Sequence, residues 1–153
     1  MLECMKVGQR RFWLVADHTF IRRYGLGVVR PYPGRITPFV KSGYLKRGDN
    51  IEELAGQLEV SQEALKLTLE HYNRDALEGV DSSFAKGGNA YNRYLGDPDN
   101  QPNPCLRPIS DAPLYAVEVH PGDIGTSMGL ITDPNAHVLN DCLLYTSPSP
   151  RDS

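Results

Sequence analysis

Two consecutive stretches with helical spacing of apolar residues constrain the fold of this chain more than any other feature. In the first, DNIEELAGQLEV, apolar side chains recur at i, i+3, i+4 and i+7, namely Ile51, Leu54, Ala55 and Leu58. In the second, which begins after Ser61, the stripe is formed by Leu65, Leu69, Tyr72 and Ala76. Two amphipathic helices with so short a link form an αα-hairpin, whose apolar stripes must be buried against another layer.

The ends of the two helices carry capping signals. Asp49 and Glu52 stand at the spacing of a capping box at the start of the first helix. Ser61 can cap the second helix, and Gly79 supplies its stop. The sequence therefore predicts both the type and the approximate bounds of the hairpin.

The other layer is predicted to be a small sheet. Phe12–Ala16 (FWLVA) is an aromatic and β-branched run typical of a buried strand, and Asp17 and Gly25 can cap and end a short helix after it. A second strand is predicted at Leu114–His120. The segment 30–48 is dense in proline and glycine, so we expect an irregular path without regular helix.

The segment 80–113 is rich in Gly, Pro, Asn and Asp, yet apolar residues recur in it. We expect a packed functional loop held by Phe84, Tyr91, Tyr94, Leu95 and Leu106. Two further short strands are expected in GLITD and AHVLN, around the turn Asp133-Pro134-Asn135. The predicted fold class is α+β, with an αα-hairpin packed on a small, mostly antiparallel sheet and long ordered loops.

Composition excludes several classes of function. A net charge of −3 argues against a dedicated nucleic-acid binder, and no apolar run is long enough to span a bilayer. The polar start does not resemble a signal peptide. The three cysteines contain no CxxC pair, which fits a reducing compartment, so we expect a cytoplasmic protein.

Local motifs do not assemble a catalytic set. The four histidines, His18, His71, His120 and His137, share no metal-ligand spacing, so no metal site is expected. The glycine-rich stretches KGGNAY and GDIGTSMG lack the order of a phosphate-binding loop, and turns are favoured for both. Cys105 is expected to be an inert thiol.

An ordered series of segments between Phe12 and Asn140 nevertheless resembles a known family. The most specific parts are EGVDSSFAKGGNAYNRYLGDP and PNPCLRPISDAPLYAV. Their order and spacing resemble the substrate (cap) domain of the FAD-dependent 3-ketosteroid Δ1-dehydrogenase-like family. That family is a branch of the fumarate reductase and succinate dehydrogenase flavoprotein superfamily.

The resemblance implies a two-domain oxidoreductase in which the cap domain packs on a separate FAD domain. The substrate's β-carbon, counted from its ketone, would give up a hydride to flavin N5, while a tyrosine takes the proton from the α-carbon. The implied substrate is a small hydrophobic ketone. The family's principal catalytic residues are expected outside this chain, so no catalytic residue is assigned and the chain alone is expected to be inactive.

Within this chain, the resemblance places one stretch near flavin and substrate, GDIGTSMGL. Thr126 and Gly129 match the family pattern there and are the predicted cofactor-proximal residues. Met128 stands where the family pattern has a glycine. Its side chain would occupy space that the glycine leaves open for the backbone to approach flavin and substrate closely. Gly125 stands where fumarate-reducing relatives have a histidine, which argues against a dicarboxylate substrate.

Two alternatives stay open from the sequence. The first is another flavoprotein of the same superfamily with a different hydrophobic or carboxylated substrate. The second is a stand-alone, non-catalytic binding module that uses the loops rich in proline and tyrosine.

The sequence divides into three parts. We expect residues 1–11 to be an uncertain start, residues 12–141 to be the partial flavoprotein substrate domain that the resemblance implies, and residues 142–153 to be a non-native tail. The stretch CLLYTSPSPRD in that tail resembles a translated sequencing adapter, so it is not expected to contribute to the fold or the function.

This division predicts what the source DNA encodes after residue 141. Beyond codon 141, the native locus should encode a glycine-containing segment that continues the family pattern. Resequencing that locus checks the expectation, and native DNA that runs on into the Ser/Pro segment would contradict it.

Overall fold

The computed structural model describes residues 11–120, 122, 131–135 and 137–139. The chain divides into two units, Met1–His120 and Pro121–Ser153, which are described separately. No helix in the described part of the chain is long and apolar enough to cross a membrane.

The first unit is built on a three-stranded antiparallel sheet. Its strands are β1 (Phe12–Asp17), β2 (Leu45–Gly48) and β3 (Leu114–Val119), in the order β1-β3-β2. Phe12 pairs with Val119, and Leu45 pairs with Val117. The strands predicted at both ends of this unit are confirmed.

Among the described residues, five helices accompany the sheet: α1 (His18–Tyr24), α2 (Thr37–Lys41), α3 (Ile51–Leu58), α4 (Gln62–Glu78) and α5 (Ala90–Tyr94). The predicted hairpin is α3 and α4. Leu54, Leu58 and Leu69 on these helices pack against Leu114 and Ala116 of β3. Together the sheet and helices give the α+β class that the sequence predicts.

The central strand β3 is buried on both faces. Leu114 and Ala116 face the α3–α4 side, whereas Tyr115 and Val117 belong to a second core with Ile21 and Leu45. Residues on alternate sides of a strand point to opposite faces, so the continuous apolar run LYAV is explained by this two-sided burial.

The expectation of a wholly irregular segment from 30 to 48 is wrong. The structure places α2 and β2 there, and Leu45 is 1% exposed. Pro38 lies in the first turn of α2, where a missing N–H costs nothing. β2 is stabilised by pairing with β3, which lies far along the chain. The composition of residues 30–48 alone could not predict that contact.

The capping box lies one residue further along than predicted. Asn50 Oδ1 accepts from the Glu53 N–H at 2.8 Å, and the Glu53 carboxylate accepts from the Asp49 N–H at 2.8 Å. The Asp49 side chain pairs with Arg47 instead. Asp17 and Ser61 cap α1 and α4 as predicted, and Gly25 and Gly79 end these helices.

The long loop is not held by aromatic side chains. Of the expected apolar contacts only Leu106 is buried, whereas Phe84, Tyr91, Tyr94 and Leu95 are exposed. The buried side chain of Asn103 holds the loop instead. Its amide nitrogen donates to the carbonyls of Gly79 and Lys86, and its amide oxygen accepts from the Cys105 N–H. Three backbone groups therefore converge on one asparagine.

In the second unit, the described residues 131–135 and 137–139 contain a turn. Thr132 and Val138 make an isolated antiparallel bridge, and Asp133 Oδ1 accepts from the N–H groups of Asn135 and His137. The expected pair of strands is thus seen as a single bridge within the described residues.

The observed cap gives a stability prediction. Asn50→Ala should lower the free energy of unfolding by about 1 kcal/mol, because the Glu53 N–H loses its acceptor. Asp49→Ala, the matched control, should cost less than about 0.5 kcal/mol because only an exposed ion pair is lost. Denaturant unfolding measures both, and a larger loss for Asp49→Ala would contradict the observed cap.

Candidate substrate cavity

A cavity of about 660 Å³ lies along β1 in the first unit. All residues from Trp13 to Asp17 line it, although successive strand residues point to opposite faces. The cavity therefore follows the edge of β1 that no other described strand covers. Its volume lies in the range of small-molecule sites, about 300–1,000 Å³.

The cavity walls are mainly apolar and come from elements distant in sequence. β1, α1, α4 and the loop before β3 contribute Trp13, Val15, Phe20, Leu65, Leu69 and Ile109. Such walls exclude water and favour an apolar ligand.

A buried ion pair fixes the wall near Asp17. The Asp17 carboxylate is fully buried and accepts from Arg107 Nη1 at 3.1 and 3.2 Å. It also accepts from the backbone N–H groups of Phe20, Ser110 and Asp111. Burial opposes the charge on Arg107, but the carboxylates of Asp17 and Asp111 outweigh it and raise the pKa of Arg107.

A second carboxylate at the cavity is also satisfied. The Tyr24 hydroxyl donates to Asp97, which lowers the pKa of Asp97 together with the Asp99 N–H and Arg23. Burial and then the Asp97 contact raise the pKa of Tyr24. Tyr24 therefore stays protonated at neutral pH and acts as a donor to Asp97.

Tyr72 and Lys86 are two of the polar residues that line the cavity. Burial raises the pKa of the Tyr72 phenol, although the nearby backbone N–H of Arg107 lowers it. The phenol proton has no acceptor among the described residues. Lys86 also lines the cavity, and in the part of the chain that the structure describes no side chain pairs with its ammonium group.

The Cys105 thiol lines the same cavity. Its Sγ lies 3.1 Å from the carbonyl oxygen of Asn92, so the thiol is a donor to backbone. That contact is in keeping with a structural thiol.

A serine, a histidine and an aspartate meet elsewhere, where His71 and Asp75 of α4 approach Ser82 in the loop that follows the helix. Ser82 Oγ lies 3.3 Å from His71 Nε2, and His71 Nδ1 lies 4.0 Å from the Asp75 carboxylate. However, Ser82 Oγ donates to Asp75 at 2.8 Å, and the Ser82 N–H does the same. The hydroxyl proton is therefore directed to the aspartate, and the arrangement differs from a nucleophilic triad.

The predicted cofactor-proximal residues Thr126 and Gly129 lie outside the described residues, so that assignment stays a prediction. Among the described residues, no group of three or more His, Cys, Asp or Glu could hold a metal ion. Sequence reasoning missed the Asp17–Arg107 pair and the cavity positions of Tyr72 and Lys86. Asp17 carried only a capping signal, and Tyr72 only an apolar periodicity.

Removing the buried carboxylate should be costly. Asp17→Asn leaves the Arg107 guanidinium without its buried carboxylate. The new side-chain amide is also a donor, and it would lie beside backbone N–H groups that are donors themselves. We expect a loss of about 3 kcal/mol or more in the free energy of unfolding, measured with denaturant. Asp99→Asn, which removes an exposed ion pair with Arg23, should cost less than about 1 kcal/mol; equal losses would contradict the central role of Asp17.

Ser82 should control the acid range of stability. Its backbone N–H and its hydroxyl lower the pKa of Asp75, so this stabilisation is present above the ordinary aspartate pKa and is lost as the pH falls toward the lowered pKa. Ser82→Ala should raise the pKa of Asp75, measured by carboxyl NMR titration, and flatten the acid dependence of stability. Ser83→Ala is the control, and an unchanged Asp75 titration in Ser82→Ala would contradict the assignment.

Comparison with known proteins places this fold in a family. A family described as an FAD binding domain matches residues 1–143. The 4-oxocyclohex-2-ene-1-carboxylate 5-dehydrogenase of Sinomonas cyclohexanicum is 36% identical over 129 residues, which are 84% of this chain and 22% of that protein. The 3-oxosteroid 1-dehydrogenase of Mycobacterium tuberculosis strain H37Rv is 36% identical over 129 residues, 84% of this chain and 23% of that protein.

A solved structure shows the same fold. The 3-ketosteroid delta1-dehydrogenase from Sterolibacterium denitrificans, in complex with 1,4-androstadiene-3,17-dione, matches with a TM-score of 0.80 and 38% identity. The match covers 94% of this chain and 26% of that structure. The chain thus spans about a quarter or less of the length of the relatives it matches.

The described residues do not themselves fit the FAD diphosphate. Such a site needs a glycine-rich turn between a strand and a helix of a parallel βαβ unit. The described sheet is wholly antiparallel.

The chain belongs to the FAD binding domain family and, within it, to the FAD-dependent 3-ketosteroid dehydrogenase-like flavoproteins.

Proposed function

We propose that residues 12–141 are the substrate (cap) domain of a longer FAD-dependent oxidoreductase that dehydrogenates a cyclic ketone. The observation that carries this proposal is the match, over 94% of the chain, to about a quarter of a ketosteroid dehydrogenase structure. The remaining polypeptide would hold the FAD, and the compartment would be the cytoplasm.

The proposed reaction removes two hydrogens from adjacent ring carbons next to a ketone, of the 3-ketosteroid 1,2-dehydrogenation type. FAD would supply the redox chemistry as the electron acceptor. The chain's own contribution is binding: the cavity along β1 excludes water from an apolar ring, and the protonated Tyr72 can donate to an oxygen of the substrate. Thr126 and Gly129 would lie near flavin and substrate.

The FAD domain is the proposed packing partner. Phe84, Tyr91, Tyr94 and Leu95 are between 65% and 88% exposed, although they are large and apolar. Apolar groups that a monomer leaves exposed in one region are typical of a contact surface. This supports a cap domain that docks through the loop around α5 and that has no activity alone.

A carboxylated cyclic ketone is the second candidate substrate. One relative is named as a dehydrogenase of 4-oxocyclohex-2-ene-1-carboxylate, with the same 36% identity as the steroid enzyme. Lys86 at the cavity favours such an anion, since it has no ion partner among the described residues.

The isolated chain should neither retain FAD nor turn over a ketone. After incubation with excess FAD and desalting, its spectrum should lack stoichiometric flavin bands, because the described residues contain no diphosphate cradle. The complete protein, expressed from the recovered source DNA, should retain FAD and transfer electrons from a cyclic ketone to an artificial acceptor.

Either of two results would contradict the proposal. One is a stoichiometric yellow complex of the isolated chain. The other is a complete protein that holds FAD but whose flavin no steroidal or carboxylated cyclic ketone reduces.

A further inference from the structure

We infer that one face of the first unit docks on the surface of an anionic phospholipid bilayer. This face, called here the α1–α2 face, is built from residues 18–44, which contain α1, the loop after it and α2. The contact lies at the depth of the lipid headgroups. It performs no step of the proposed function, and only its use, access to an apolar ring dissolved in the bilayer, rests on that proposal.

Charge is segregated along the chain. Residues 18–44 contain five Arg or Lys residues and no Asp or Glu, although the whole chain has a net charge of −3. Residues 49–82, which contain α3 and α4, have nine Asp or Glu residues and only two Lys or Arg. Such an asymmetry is typical of proteins that meet a charged surface with one side.

The fold converts this segregation into two oppositely charged faces. Helices α1 and α2 pack in the core that contains Tyr115 and Val117 of β3. Helices α3 and α4 pack against Leu114 and Ala116 of the same strand. Because successive strand residues point to opposite faces, the basic and the acidic segments lie on opposite sides of the sheet. A negatively charged plane would therefore attract the α1–α2 face and repel the other.

Three cations of the α1–α2 face are free to meet such a plane. Arg30, Arg35 and Lys41 are exposed, and among the described residues none of them has an ion partner. Each is adjacent in sequence to a residue that packs in the core beneath, so the exposed side chain lies on the outside of the layer. These core neighbours are Val29, Ile36 and Val40.

Exposed apolar and aromatic side chains accompany the cations. Tyr32 is 73% exposed and Val28 is 61% exposed. The Arg22 guanidinium lies 4.7 Å from the centre of the Tyr32 ring and donates to the Gly34 carbonyl at 2.8 Å. Aromatic and aliphatic side chains among basic residues are typical of protein surfaces that lie at the level of lipid headgroups.

A bilayer fits this face better than a nucleic acid does. At a bilayer, Val28 and Tyr32 leave water together with the contact of the cations, whereas a phosphate backbone offers them no apolar phase. The same layer also reaches the cavity along β1, which Phe20, Tyr24 and Leu26 help to line. Docking of this face would bring an apolar ring in the bilayer close to that cavity.

Sedimentation with sucrose-loaded vesicles tests the docking, on this chain and on the complete protein expressed from the recovered source DNA. Both should bind vesicles that contain phosphatidylglycerol much more tightly than vesicles of phosphatidylcholine alone. Binding should be lost when the salt concentration rises from about 0.1 M to about 1 M, because the Debye length falls from about 10 Å to about 3 Å.

Two double variants with the same change of charge locate the contact. Arg35→Gln with Lys41→Gln should weaken binding to the anionic vesicles on the order of 25-fold, about fivefold for each basic residue near the surface. Lys66→Gln with Arg74→Gln removes one Lys and one Arg from exposed positions of α4, and it should change binding less than about twofold because that side faces away. Circular dichroism and cooperative melting confirm that each variant is folded.

Four results would overturn the inference. They are equal binding to neutral and anionic vesicles, equal losses in the two double variants, tighter binding to duplex DNA than to anionic vesicles at the same phosphate concentration, and binding by this chain but not by the complete protein. The last would mean that the remaining polypeptide covers the face.

None of these measurements needs flavin or turnover. A failure here therefore leaves the ketone dehydrogenase proposal standing, and a failure of flavin reduction in the complete protein leaves the vesicle result standing.

Discussion

The contact between Asp17 and Arg107 is the interaction on which the rest of the described structure depends. It joins the end of β1 and the start of α1 to a loop 90 residues further along the chain. Since the same carboxylate also accepts N–H groups of Phe20, Ser110 and Asp111, it sets the course of the loop that enters β3. A buried charge is tolerated here because every acceptor position around it is used.

This contact also shapes the cavity. Asp17 and Arg107 both line it, and the loop that Arg107 belongs to provides one wall. β3, buried on both faces, holds β1 on one side, while the other edge of β1 is left to the cavity. The cavity thus follows from the position of β1 at the edge of the described sheet, and no single motif specifies it.

The local part of this architecture could be predicted from the sequence, and the long-range part could not. The stripes of α3 and α4, the caps Asp17 and Ser61 and the stop at Gly79 depend on neighbours within a few residues. β2 depends on pairing with β3, which lies far along the chain. Of the five apolar residues expected to hold the loop 80–113, only Leu106 is buried, and Asn103 holds the loop through backbone contacts that composition does not reveal. The family resemblance predicted a family whose cofactor is FAD, and the family match confirms that family, whereas Thr126 and Gly129 stay predictions.

The most direct test of the central claim is an exchange of domains. Residues 12–141 replace the matched segment of the Mycobacterium tuberculosis 3-oxosteroid 1-dehydrogenase, and the loss of flavin absorbance is measured anaerobically on mixing with cyclic ketones. The account predicts that the chimera binds FAD and that at least one steroidal or carboxylated ketone reduces it. A folded chimera that holds FAD but is reduced by none of these ketones would contradict the assignment of this chain as the substrate domain.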